Sequence, residues 1–141
     1  MMMENNAALG QEWVTLQNNY EHYESGALMV KLAAVVSFFA AVAIGLAPWL
    51  LCLMVLVLWL QEGIFKTCQS RLGERLVKVE RLLADGSVER GQAFQLHSTW
   101  LAQRPGLAGL LREYAASALR PTVAFPYAVL VAVDAALVLL R

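Results

Sequence analysis

Cysteine, histidine and charge are all scarce in this 141-residue chain, and each shortage closes off a class of protein. Of the two cysteines, Cys52 sits inside an apolar run and Cys68 just beyond it, with no CxxC pattern, so neither a disulfide framework nor a zinc site is indicated. The histidines are isolated as well. On a helix, His22 of EHYE turns about 100° away from Glu21, and His97 has only apolar and hydroxyl neighbours. No Gly-rich phosphate loop, nucleophile elbow or HExxH occurs and no titratable pair converges at either interface, so we expect no enzyme, no cofactor and no small-molecule substrate. Nucleic-acid motifs are missing too, and acids interrupt the basic stretch, so nucleic acid is not an expected partner. The opening MMMENNAALGQEW carries no basic n-region, which speaks against a cleaved signal peptide.

Charged residues make up 16% of the chain and hydrophobic ones 59%, too apolar a balance for an ordinary soluble domain. Two apolar runs fill about 27–65, separated by Gly45-Leu46-Ala47-Pro48, whose Gly and Pro mark a tight turn at 45–48. A third run, 121–141, has about the 20 residues needed to cross ~30 Å of hydrocarbon, although it contains Pro126 and Asp134. The expected fold is therefore an all-α membrane protein with three transmembrane helices, a tight hairpin plus one C-terminal span.

Nine of the eleven Lys and Arg fall between Lys66 and Arg120. By the positive-inside rule this predicts a bacterial-type inner-membrane topology with the N-terminus and 66–120 cytoplasmic and the C-terminus outside. Folding the hairpin about its turn brings level those residues whose numbers sum to about 93, and Lys31 and Glu62 do so. A charge in hydrocarbon is costly alone, so a Lys31–Glu62 bridge is expected; the alternative pairs Glu62 with Lys66 one turn on while Lys31 snorkels.

Beyond a flexible 1–10, Trp13, Leu16, Tyr20 and Tyr23 form an apolar stripe leading into the first span, and Leu72, Leu76, Val79 and Leu83 repeat likewise after the second. The same counting sets Glu12 level with Arg81 and Glu21 level with Arg71, which predicts cytoplasmic amphipathic helices forming an antiparallel stalk, with 11–85 as one continuous unit. Residues 87–120 read as two further cytoplasmic or interfacial helices, the second with Leu107, Leu110, Leu111, Tyr114 and Ala118 on its apolar side.

Small residues form two ladders with a four-residue step, Ala33, Ser37, Ala41, Gly45 and Ala124, Ala128, Ala132, Ala136, which predicts that spans one and three pack together or that both face a neighbour. Asp134 is the intramembrane charge with no partner in the hairpin; either Arg141 meets it from the outer end or a group in another protein does.

The layout over about 12–85, an amphipathic helix, a two-span hairpin and a basic helix, is similar in outline to the SLATT-type membrane modules of bacterial conflict systems, and that resemblance implies a membrane-perturbing effector. From the residues themselves, the expected function is a small inner-membrane interaction protein, an accessory subunit, assembly factor or immunity-type protein. Its expected partners are membrane lipids and either another membrane protein or its own copies. The competing expectation is a self-assembling pore or membrane-disrupting effector lined by Asp134, Tyr127 and Ser37.

Overall fold

Reversal of the chain at residues 44–47 sets the architecture. Gly45 adopts φ +73°, its N–H bonds Val42 O at 3.0 Å and the Leu46 N–H bonds Ala41 O at 3.0 Å, the paired bonds of a Schellman stop that only glycine enters without strain. Pro48 then opens the next helix at the position where a missing N–H does no harm. The computed structural model describes residues 2–85, 92–103 and 105–140.

Helix α1 runs Met2–Ala43 and α2 runs Pro48–Asp85, antiparallel over their length, each far longer than the ~20 residues a bilayer needs. Shorter helices follow, α3 (Leu96–Gln103), α4 (Leu107–Ala118) and α5 (Pro121–Leu139), and the described chain contains no strand. Three helices, α1, α2 and α5, are long and apolar enough to cross a membrane, consistent with a multi-pass membrane protein. In each of them only 22% of the most apolar stretch is buried within the chain, so most of its apolar side chains face outward, as a lipid solvent requires.

Two apolar clusters hold the hairpin. Near the turn Ala34, Phe38, Ala41, Leu51 and Val55 meet Tyr127 and Leu130 of α5. At the far end Leu9, Leu16, Leu72, Leu76 and Val79 interlock, with Trp13, Tyr20 and Tyr23 against them. Leu9 is fully buried there, which explains why α1 starts near Met2 rather than at residue 11: its first turns extend the seam instead of leaving it.

Helix α5 leans on α2 more than on α1 and buries Val123, Tyr127, Leu130 and Asp134, spaced four, three and four. That rotation turns Ala128, Ala132 and Ala136 outward and leaves Ala124 half-buried. On α1, Ala33 is exposed and Ser37 half-buried, while Ala41 enters the core and Gly45 sits in the turn. The two ladders therefore do not meet within the chain, a correction to the first form of the packing expectation. The larger Tyr127 and Leu130 bury more area against α2 than alanines would, and they set the rotation.

Candidate functional site

One turn beyond Trp59, the buried seam of α2 carries Glu62, Gly63 and Thr67, and here all three spans and α4 converge. Glu62 is completely buried. Its Oε2 accepts a hydrogen bond from the Tyr127 hydroxyl at 2.7 Å, and its Oε1 lies 3.1 Å from Lys31 Nζ. The latter is an ionic contact rather than a directed hydrogen bond, because the ammonium aims instead at Thr122 O, 3.0 Å away at the start of α5. Lys66, the alternative partner for Glu62, bonds Gln69 Oε1 at 2.8 Å.

Aromatic and hydroxyl groups frame this triad. Trp59 stacks on Tyr127 with ring centroids 6.0 Å apart and planes 5° from parallel, and its indole N–H donates to Ala118 O at 2.8 Å. Thr67 Oγ1 meets both Gly63 O at 2.9 Å and Ser117 Oγ at 2.8 Å. The lack of a side chain at Gly63 makes the approach possible, since a Cβ there would stand 3.0 Å from Ala118 Cβ and 3.2 Å from Tyr114 O. Among the described residues, Glu62 Oε1 is the one buried side-chain oxygen or nitrogen of this layer without a hydrogen bond, and it has the ammonium beside it. The arrangement is a polar clasp that ties α1, α2, α4 and α5 at one height.

A second buried charge pair lies towards the far end of the hairpin. Arg75 grips Glu12 with Nε–Oε1 at 2.7 Å and Nη2–Oε2 at 3.0 Å, donates to Gln92 O at 2.7 Å, and leaves Glu12 Oε2 to accept the Phe94 N–H at 2.7 Å. Phe94 holds φ +58°, a left-handed conformation imposed on a bulky residue where the chain reaches that carboxylate. Equal height pairs Glu12 with Arg81 and Glu21 with Arg71. Arg81 is instead exposed on the outer side of α2; Glu21 accepts from Gln17 at 2.9 Å, and Arg71 pairs with Glu113 of α4 at 2.7 Å while stacking over Trp100 at 5.2 Å. Equal height does not give equal face, and Arg75 is the cation whose side points into the seam.

Asp134 is buried, 6% exposed, and its Oδ1 has no hydrogen-bond partner among the described residues. Arg141, one of its expected partners, lies outside those residues. His22 and His97 are exposed, both cysteines are free and half-buried, and among the described residues no group of three His, Cys, Asp or Glu side chains stands close enough to hold a metal. Around Arg71, Arg75, Lys78 and Trp100 a cleft of about 200 Å³ opens, and wider surface grooves of about 460 Å³ beside Tyr20, Lys66 and Arg120 and about 590 Å³ beside Gly10, Val14 and Phe94 lie elsewhere.

Sequence reasoning assigns no role to Trp59, Thr67 or Ser117, and reads Arg75 only as one of the cations that set orientation. For Arg75 a signal existed: it falls one position before Leu76 in a repeat of threes and fours, inside the stripe rather than opposite it. Comparison of the chain with protein-family models, with curated proteins and with solved structures gave no match.

Proposed function

We propose that this is a small, non-catalytic, multi-pass interaction protein of a bacterial-type inner membrane, an accessory subunit, assembly factor or immunity-type protein that docks another membrane protein by helix packing. In this reading residues 66–120 and the N-terminus lie on the cytoplasmic side, the C-terminus is outside, and the paired ends of α1 and α2 form a cytoplasmic stalk. The observation that carries it is the outward alanine row of α5: Ala128, Ala132 and Ala136 are exposed beside Phe125, Val129 and Val133, while Val123, Tyr127, Leu130 and Asp134 turn into the bundle. Small residues bury little against lipid, but they let a second helix backbone approach closely.

The clasp supports the same reading. Glu62, Tyr127, Lys31, Thr67 and Ser117 each have a hydrogen bond or ion pair with another group of the same chain, as in a structural network. A pore reading asks Tyr127 and Asp134 to line a shared lumen, whereas both are buried inside one copy. The test is native mass spectrometry of the complex drawn from its own membrane in mild detergent. A foreign subunit, lost on Ala132→Leu, is the expected result; multiples of 15.5 kDa alone would replace the accessory reading with a homo-oligomer.

A further inference from the structure

Helix α4 is amphipathic in the inverted sense. Its polar side faces the protein: Glu113 reaches Arg71 at 2.7 Å, Ser117 is buried with its Oγ 2.8 Å from Thr67, and the Ala118 carbonyl receives the Trp59 indole. On the outer side Leu107, Leu111 and Leu119 are 76%, 58% and 69% exposed, with Ala115 exposed between them, a stripe stepping by four along the whole helix. A helix in water buries its leucines, and here Leu107, Leu111 and Leu119 face outward while Ser117 is buried.

Taking the three long helices to lie in a bilayer, we propose that α4 is embedded in the leaflet on the charged side of the bundle. Its leucine stripe contacts acyl chains, and Arg112 and Arg120 reach out to lipid phosphates. Three observations name lipid as the occupant. The stripe is continuous with the spans, because the corner from α4 to α5 is only residues 119–120 and the exposed Leu119 leads directly to α5 at Pro121. Among the described residues the cations flanking it meet no carboxylate: Arg112 is exposed, and Arg120 bonds the Ser70 hydroxyl at 3.4 Å. Finally, the groups α4 covers on α2, Thr67 and the backbone beside Gly63, stand at the edge of the apolar run, where they need protein rather than lipid as hydrogen-bonding company. The clasp of Lys31, Glu62 and Tyr127 thereby lies deeper than the phosphate plane, roofed by α4.

The experiment places single nitroxide labels on the full-length protein. With Cys52 and Cys68 replaced by serine, Leu111→Cys and Ala115→Cys are labelled in liposomes of phosphatidylcholine and phosphatidylglycerol, beside Val129→Cys on the exposed side of α5 and Ser98→Cys on the exposed side of α3. Collision rates with oxygen and with a water-soluble nickel chelate report depth. The expected result is an oxygen-to-nickel ratio at 111 and 115 severalfold above that at 98 and close to that at 129. A ratio matching position 98 would overturn the embedding while Val129 still reported lipid. Low collision rates with both reagents would mean that a second copy covers the stripe, which also overturns it. A water-like Val129 would remove the membrane reading itself.

Discussion

Replacing Lys31 by methionine removes the cation facing a carboxylate that water cannot reach, since the Glu62 side chain is 0% exposed and the Lys31 side chain 27%. Breaking a buried ion pair from one side costs about 3–5 kcal/mol, because the remaining charge is stranded. Partial exposure of Lys31 places this site lower, about 2–3 kcal/mol, with the Tyr127 hydroxyl still holding Oε2. Glu62→Gln removes the charge but leaves an amide oxygen for Tyr127, and Lys31 keeps Thr122 O, so about 1 kcal/mol is expected. In the double variant no charge is stranded, and the loss should be about 1.5 kcal/mol rather than the sum of the two. The difference, a coupling of about 2 kcal/mol, is roughly a 30-fold effect on the folding equilibrium. Unfolding in mixed micelles with rising dodecyl sulfate, followed by tryptophan emission or pulse proteolysis, measures all four corners of the cycle. Additivity to within about 0.5 kcal/mol would refute the coupling, and with it the clasp as an energetic unit.

Three further outcomes follow from the same geometry. Arg75→Met should cost about 3 kcal/mol or more by stranding the buried Glu12, whereas Arg81→Met should stay within about 0.5 kcal/mol; equal losses in an unfolding titration would return the pairing to Arg81. Gly63→Ala drives a methyl to 3.0 Å from Ala118 Cβ and should lose about 1–3 kcal/mol, with faster hydrogen exchange in α4 than in the turn; an unchanged exchange pattern would show that α4 is not held there. Asp134→Leu removes a buried oxygen, Oδ1, that has no donor among the described residues and should stabilise the isolated protein by about 1–3 kcal/mol, and a loss of stability would reveal a partner for that carboxyl.

Heights along the hairpin were legible in the sequence and azimuths were not. Gly45 and Pro48 announce the turn by their backbone chemistry alone, and once the turn is placed, a rise of 1.5 Å per residue puts Lys31 beside Glu62 by counting. Which side of the helix a residue presents depends on what packs there, and that is tertiary information. Arg81 is level with Glu12 but turned outward, and Arg75, six residues or about 9 Å nearer the turn, reaches along the seam to it. Tyr127 decided the face of α5 through one hydroxyl and one stacked indole, so the alanine repeat, conspicuous as a pattern, turned outward. In α4 the leucines drew an apolar side that included Leu107 and Leu111, but those two are exposed while Leu110 and Tyr114 on the other flank turn half inward. Sequence periodicity reports which side is apolar and says nothing of whether water, lipid or protein lies against it.

The lack of any break in α1 has a mechanical consequence. From Lys31 to Met2 the helix continues for about 44 Å, paired through most of that length with α2 and stitched to it by Glu12 and Arg75. Two helices bonded side by side resist bending far more than one, so in the proposed stalk a tilt of the bilayer portion carries to the far end. Apolar spans tilt when the surrounding bilayer thins. A change of about 10° at the clasp swings the tip of this lever sideways by about 8 Å, turning a small alteration in the membrane into a displacement on the scale of a side chain's reach.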